Sequence, residues 1–229
     1  ADKWNLSRED LDKFALESHQ KAAHATESKY FDREILPVEG RNAEGMNDLV
    51  MADEGIRFDA SLDKLAGLNP VTEGGVITAG NASQITDGAA AVMVCNDAGL
   101  KKIQANPRAE IVSISVVGDD PVFMLTGPIP ASIQALKTAN LTIDDMDLYE
   151  VNEAFAPVPL AWAEDLKADR SKLNVNGGAM ALGHPLGATG AKLMTTLLHE
   201  MERRESTYGL QAICEGGGTA NATIIKRLT

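Results

Sequence analysis

The sequence predicts an α/β fold in which a mixed five-stranded sheet is flanked by helices. Helices alternate with apolar strands from Ile103 onwards. The last two strand segments, 210–214 and 219–228, follow each other without a helix between them, which indicates that the sheet is mixed. With 44% hydrophobic and 24% charged residues over 229 positions, the chain has the composition of a globular protein.

The first hundred residues contain one clear helix. Ser7 is a candidate N-cap with Asp10 three residues later, and apolar or small residues then recur at helical spacing. Segment 32–69 is charged and interrupted by glycine and proline, which indicates an irregular excursion over the surface. A buried strand is predicted at 92–95. One helix, one long loop and one strand cannot close a core, so the chain is expected to begin within a larger fold.

The later elements follow from local apolar patterns. The predicted strands are 109–118, 147–151, 173–176, 210–214 and 219–228. The predicted helices are 130–140, most of 152–166, and 187–205.

The charge of the chain excludes several kinds of partner. Lys and Arg number 21 against 33 Asp and Glu, a net charge of -12, so neither nucleic acid nor an anionic membrane surface is expected to bind. No apolar run approaches the ~20 residues that a bilayer requires. Cys95 and Cys214 are too few for a disulfide framework and predict reduced thiols in a cytoplasmic location.

Three polar positions near predicted strand ends could carry chemistry. His184 lies in a glycine-rich turn before a helix, where the helix dipole favours neutral imidazole; a buried structural histidine is the alternative. Cys214 is followed by Glu215 and three glycines, so it is either a small buried hydrophobic residue or the neighbour of an oxyanion-binding backbone. Asn152 is either a helix N-cap or an amide that faces a ligand.

Together these motifs resemble the thiolase family, the acyl-CoA acetyltransferases that make or cleave β-ketoacyl-CoA. The similar segments, in order, are FDREILPV, AGNASQITDGAAAV, MLTGPIPAS, NEAF, GGAMALGHPLGATG and CEGGG. The resemblance spans essentially the whole chain but only the later part of a thiolase. It implies a loop-domain segment at 1–70, the closing segment of the N-terminal domain at 71–102, and the C-terminal domain at 103–229.

The resemblance implies acyl transfer through a cysteine thioester. His184 is implied to activate the nucleophilic cysteine, and Cys214 to act as general acid and base. One oxyanion site is implied for His184 with a water held by Asn152. The other is implied for the backbone N–H of Gly216 together with that of the nucleophile.

Coenzyme A or acyl-CoA is the implied substrate, with no permanently bound cofactor and no metal. Ser83 matches the family's pantetheine contact, and Arg57 matches a cation near the nucleotide end. Met124 and Phe155 match walls of the acyl pocket. Ser83 could instead be a helix cap and Arg57 a solvated surface residue. Met124 and Phe155 could be ordinary core residues. The resemblance also implies a homodimer or homotetramer.

The sequence departs from the family in three places. The segment that carries the nucleophile is absent, and Cys95 lacks the glycine turn or helix N-terminus that activates a thiolate. Leu125 replaces a glycine that is frequent in short-chain members, and Val71 and Thr72 follow Pro70 where many relatives have phenylalanine. The missing N-terminal half is therefore an expected partner, and the chain alone is expected to be inactive.

Two other functions are compatible with these motifs. A ketoacyl synthase shares the fold, but its second active-site position is normally His or Asn, so Cys214 argues against it. A non-catalytic thiolase-fold half could serve complementation or dimerisation. The intact set of His184, Asn152 and Cys214 favours part of an active enzyme.

Overall fold

The computed structural model describes residues 1–41 and 44–228, which contain seven α-helices and six strands. The helices are α1 (Arg8–Glu27), α2 (Leu62–Ala66), α3 (Asp97–Ile103), α4 (Pro128–Ala139), α5 (Pro157–Leu166), α6 (Ala179–Leu182) and α7 (Thr189–Arg203). The strands are β1 (Val38–Arg41), β2 (Asn47–Val50), β3 (Ala109–Gly118), β4 (Leu148–Val151), β5 (Tyr208–Cys214) and β6 (Thr219–Arg227).

The central feature is a mixed sheet with strand order β3-β6-β5-β4. β6 is antiparallel to both β3 and β5, while β4 and β5 are parallel. Helices cover both faces: Ile224 belongs to the core cluster that contains α4 side chains, and the next residue, Ile225, packs with α7 side chains. This alternation is what the strand pleat requires. The predicted mixed sheet with flanking helices is confirmed.

The prediction of a fifth strand at 173–176 is wrong. Leu173 forms only an isolated parallel bridge to Tyr149, so the sheet has four strands within the described ranges. Asn174 has a φ of 44° and bonds to β4 through its side chain. Its Oδ1 accepts from Val151 N and its Nδ2 donates to Val151 O, both at 2.9 Å. Because the side chain occupies the positions a neighbouring backbone would use, pairing stops after one residue.

The prediction of a buried strand at 92–95 is also wrong. Residues 83–96 have no regular secondary structure, and Val92, Met93 and Val94 are 42%, 76% and 69% exposed. The segment has the composition of a buried strand, but no strand of the described residues lies beside it to pair with its backbone. Cys95 is therefore exposed as well.

The opening helix is confirmed, with a capping box between Ser7 and Asp10. The helix predicted within 152–166 begins only at Pro157, so Asn152 is not its N-cap. The surface excursion at 32–69 contains the β1–β2 hairpin and α2. Residues 42, 43 and 229, to which some of the predicted ranges extend, lie outside the described residues.

The main core lies between α1, the sheet, α4 and α5. Trp162 is fully buried, donates its Nε1–H to Ser132 Oγ at 2.8 Å and meets the Tyr149 ring edge-on at 5.2 Å. Leu11 and Phe14 of α1 pack into the same cluster. The first helix is thereby part of the core around the sheet.

The second half of α1 supports the segment that precedes His184. Ser18 Oγ accepts from Gly178 N at 3.0 Å and donates to Glu153 Oε2 at 2.7 Å. At Gly177, where φ is +79°, a Cβ would lie 2.5 Å from Ser18 O. The close approach of α1 to this loop therefore depends on glycine.

Candidate active site

Three of the predicted site residues meet at one edge of the sheet. Asn152 follows β4 directly, Cys214 is the last residue of β5, and these strands are parallel, so their carboxyl ends coincide. Asn152 Nδ2 lies 3.3 Å from His184 Nε2. The Asn152 side chain also lies near enough to Cys214 to lower the pKa of its thiol. The Asn152 amide therefore stands between the histidine and the cysteine.

The backbone at His184 is fixed by contacts with the 84–86 segment. His184 N donates to Thr86 Oγ1 at 2.7 Å and to Gln84 O at 3.2 Å. The preceding Gly183 has φ 81° and ψ 165°, a conformation that L-residues rarely adopt. A Cβ at Gly183 would lie 2.3 Å from Thr86 Oγ1. Both conformation and space therefore require glycine before the histidine.

The imidazole of His184 is half-buried and bonded at both nitrogens. Nδ1 lies 2.6 Å from Thr189 Oγ1, opposite the Nε2 contact with Asn152. Burial lowers the pKa of His184, so the ring is neutral near pH 7. The imidazole is thus neutral, as expected from the sequence. The cause is burial and not a helix dipole, because α7 begins only at Thr189, five residues later. A neutral ring is able to accept a proton.

Cys214 is a buried thiol in an apolar cluster with Ala154 and Val158, against which Leu125 packs. Burial raises the pKa of Cys214 to about 11, and the nearby Asn152 side chain partly offsets this rise. The group is consequently a protonated thiol at neutral pH. It is suited to hold and release a proton and is not a spontaneous nucleophile.

The three glycines after Cys214 differ in backbone conformation and in exposure. Gly217 and Gly218 have φ of 75° and 83°. A Cβ at Gly218 would lie 2.9 Å from Asp119 O, and Gly218 O accepts from Asp119 N at 2.7 Å, so this glycine allows two backbones to approach. Gly216 is exposed, with open space where a side chain would stand. Gly217 is exposed with open space in the same way, so bare backbone is left accessible at both Gly216 and Gly217.

Of the residues matched to coenzyme A, Ser83 and Phe155 lie next to each other. Ala82 forms an antiparallel bridge with Phe155, and Ser83 N donates to Ala154 O at 3.0 Å. This contact places both beside the Asn152 segment.

Arg57 lies in a different loop, between β2 and α2. It is exposed, and its backbone N donates to His19 Nδ1 at 3.1 Å. Its loop is held by Gln84 Nε2, which donates to Gly55 O and to Met180 O, both at 2.7 Å. In the described part of the chain no hydrogen bond or ion pair joins the Arg57 guanidinium to His184.

Met124 adopts a left-handed conformation with φ 51°, unusual for a long side chain. Leu125 N donates to Phe123 O around it, which closes a three-residue turn. The turn directs Leu125, rather than Met124, against the Cys214 cluster. The side chain that narrows the space at Cys214 is therefore that of Leu125.

Sequence reasoning missed three polar residues that hold the His184 segment: Gln84, Thr86 and Thr189. Each is an ordinary polar residue with no chemistry of its own to attract attention. Their position inside AGNASQITDG and GHPLGATG is the one signal that could have found them.

Within the described residues, no cluster of three or more His, Cys, Asp or Glu side chains has a geometry that could bind a metal ion. Over the same residues, every helix is too short or too polar to cross a bilayer.

An α/β chain with this edge-of-sheet arrangement of amide, imidazole and thiol is matched by two family models. The model of the thiolase N-terminal domain matches residues 1–98, and that of the thiolase C-terminal domain matches residues 105–227. The chain belongs to the thiolase family, and the resemblance seen in the motifs is confirmed.

Individual relatives cover the chain almost completely. A steroid 3-ketoacyl-CoA thiolase of Mycobacterium tuberculosis is 54% identical over 228 residues, which are 100% of this chain and 54% of the relative. The solved acetyl-CoA acetyltransferase of Bacillus anthracis is 40% identical with a TM-score of 0.94, covering 99% of this chain and 58% of its own. Human mitochondrial 3-ketoacyl-CoA thiolase, solved in complex with CoA, is 41% identical with a TM-score of 0.90, covering 99% and 56%. The chain thus spans a little over half the length of each.

Proposed function

We propose that the chain forms the part of a thiolase active site that moves protons and binds oxyanions. The complete enzyme transfers acyl groups between acyl-CoA and coenzyme A or acetyl-CoA, by thiolysis or Claisen condensation of β-ketoacyl-CoA. One observation carries this proposal: Asn152 stands between His184 Nε2, at 3.3 Å, and the thiol of Cys214. The arrangement places a neutral base, His184, and a protonated acid, Cys214, on either side of the Asn152 amide.

In thiolysis, the proton steps follow from these protonation states. His184 Nε2 accepts the proton of the nucleophilic thiol as its sulfur attacks the β-keto carbon. The bond to the α-carbon breaks, and Cys214 donates its proton to the departing acetyl-CoA carbanion. Cys214 thiolate then takes the proton of an incoming coenzyme A thiol, whose sulfur attacks the thioester. The nucleophile leaves and recovers its proton from His184.

Two oxyanions form during these steps. One is stabilised by protonated His184 and by a water on Asn152, whose Oδ1 is buried and has no hydrogen-bond partner among the described residues. The accessible backbone N–H of Gly216 stabilises the other, together with the N–H of the nucleophile.

The proposed cofactor-side contacts are Ser83 with pantetheine and Arg57 with the nucleotide end, while Met124 and Phe155 line the acyl pocket. The human relative solved with CoA supports coenzyme A as the ligand class. Arg57 is exposed, so it offers positive charge to an anionic ligand on a chain of net charge -12.

The proposed partner is the thiolase half that carries the nucleophile. The exposed apolar segment at 92–94 supports this, because it has the composition of a strand that another strand covers. The division at residues 70 and 102, a homodimer or homotetramer, and a cytoplasmic location belong to the same proposal.

A chimera tests the proposal. The chain is joined behind the N-terminal portion of the M. tuberculosis relative, and thiolysis is measured on 3-ketoacyl-CoA of several chain lengths. We expect turnover by the chimera and none by the chain alone. His184→Ala should slow acylation by roughly 10²–10⁴, whereas Cys214→Ala should leave acylation partly intact and block deuterium exchange at the α-carbon of acetyl-CoA.

Cys95→Ala is the matched control, since Cys95 lies outside the site and alanine keeps a small apolar side chain there, and it should retain full activity. A folded chimera that binds coenzyme A without turnover would instead support the non-catalytic half. Equal loss of acylation in the His184 and Cys214 variants would reject the division of roles.

A further inference from the structure

We propose that Thr189 is a positioning residue that fixes His184 in one tautomer, with the proton on Nδ1 and the lone pair on Nε2. The use of that lone pair as a base rests on the proposed function. The tautomer itself is a property of this chain and is measurable without any activity.

The first argument concerns the hydroxyl of Thr189. This residue is 2% exposed and opens α7. Its Oγ1 donates to Pro185 O at 3.0 Å and lies 2.6 Å from His184 Nδ1. A hydroxyl has a single hydrogen, and a carbonyl oxygen can only accept. With that hydrogen on Pro185 O, Oγ1 offers Nδ1 a lone pair, so Nδ1 must carry the proton.

The second argument comes from the opposite side of the ring. Asn152 Nδ2, at 3.3 Å from His184 Nε2, is a donor only. A donor at Nε2 requires the ring nitrogen to present its lone pair. Two contacts from separate elements, α7 and the residue after β4, thus select the same tautomer.

The selected tautomer places the acceptor where the reaction needs it. Nε2 faces the Asn152 amide and the Cys214 side of the site, while Nδ1 faces the first turn of α7. In the other tautomer, Nε2 would present an N–H and could not take a proton from an incoming thiol. Thr189 therefore acts on the reaction through His184 without contacting substrate.

The chain contains internal references for the measurement. His19 Nδ1 accepts from Arg57 N at 3.1 Å, so neutral His19 must carry its proton on Nε2. His199 Nδ1 lies 2.8 Å from the carbonyl oxygen of Thr195, so His199 must carry its proton on Nδ1. Long-range ¹H–¹⁵N correlation spectra of the ¹⁵N-histidine-labelled chain distinguish the two patterns, with His184→Gln providing the assignment.

We expect the wild-type His184 signals to follow the His199 pattern and not the His19 pattern. Thr189→Val keeps the shape but removes the hydroxyl, and should shift the tautomer ratio about 10-fold towards the Nε2–H form. Thr189→Ser should keep the wild-type ratio. Thr195→Val, in the same helix, removes a hydroxyl that donates to Ala191 O and should leave His184 unchanged.

An Nε2–H tautomer in the wild-type chain would overturn the proposal. So would a Thr189→Val chain that melts at a lower temperature but keeps the tautomer ratio, since Thr189 would then be a packing residue only. Failure of the proposed function is distinct, because it would leave the tautomer in place in a chimera that transfers no acyl group.

Discussion

Glu150 and Glu153 lie three residues apart, and both are almost fully buried, but their surroundings differ. Glu153 accepts from Ser18 Oγ at 2.7 Å, Asn174 Nδ2 at 2.9 Å and Met180 N at 3.1 Å. Glu150 Oε2 has no hydrogen-bond partner within the described residues. Burial, and then the nearby Glu153 carboxylate, raise the pKa of Glu150 well above its usual range. Burial raises the pKa of Glu153 too, but its three hydrogen-bond donors lower it in part. Glu150 therefore favours its neutral form more strongly than Glu153, which is a hydrogen-bond acceptor that organises the site loop.

We expect Glu150→Gln to stabilise the chain increasingly as pH rises. The pKa of Glu150 is higher in the folded chain than in the unfolded chain, where it is ~4.3. Its contribution to the free energy of unfolding is therefore fully present below pH ~4.3 and is lost as the pH rises towards the folded pKa. Glutamine is neutral at every pH, so the variant does not lose this stability as the pH rises. Urea unfolding between pH 4 and 8.5 measures the difference.

Glu153→Gln is the matched control, because it places an NH₂ group against existing donors. It should cost about 1–3 kcal/mol at low pH. The cost should shrink as pH rises, because burial raises the pKa of Glu153 as well. The assignment of Glu150 as neutral is rejected if wild type and Glu150→Gln lose stability in parallel with pH.

At the scale of the element, the site depends on the connection between α6 and α7. This connection leaves α6 through Gly183, whose φ of 81° turns the chain against Thr86. Gly187, four residues later, has open space around its missing side chain. The structure therefore requires glycine at 183 but would accommodate a side chain at 187.

Gly183→Ala should destabilise the chain by roughly 2–5 kcal/mol, since backbone strain and the clash with Thr86 add. Gly187→Ala should change the free energy of unfolding by less than about 1 kcal/mol. Denaturant midpoints of the two variants measure this directly. Similar midpoints would show that the connection adapts and that Gly183 does not fix the His184 backbone.

Elements defined by local patterns were predictable from sequence. The range 109–118 is β3 itself, and the capping box at Ser7 starts α1. Segment 173–176 failed because the Asn174 side chain took over the pairing with Val151, which periodicity does not encode. Segment 92–95 failed because burial depends on strands elsewhere. The sequence motifs predicted His184, Asn152 and Cys214 as site residues. The role of Thr189 depends on its contact with His184 in the folded chain, which the motifs do not show.

At the scale of the molecule, the chain leaves considerable apolar surface uncovered. Met93 and Val94 are exposed, as are Ile114 and Val116 on the edge strand β3. Apolar edge strands of this kind promote association between chains. The net charge of -12 opposes it through repulsion between copies.

The isolated chain should therefore self-associate, and more strongly at higher salt, because salt screens the repulsion. Replacing both Met93 and Val94 by lysine should reduce association several-fold without lowering stability. Val122→Lys is the control, being exposed but outside that segment. Sedimentation velocity over a concentration series measures the effect. A monomer at all concentrations and salts would contradict the expectation.

The Ser18 contacts also set a time order for synthesis. Ser18 bonds to Gly178, which lies 160 residues later, and to Glu153, which lies 135 residues later. At a translation rate of ~5–20 residues per second, roughly 8–30 s separate the two ends of the longer contact as the chain leaves the ribosome. During that interval the apolar face of α1 has no cover from the loop and sheet it will join. The apolar face of α1 is therefore exposed on the nascent chain until its partners have been synthesised, and exposed apolar surface of this kind favours aggregation.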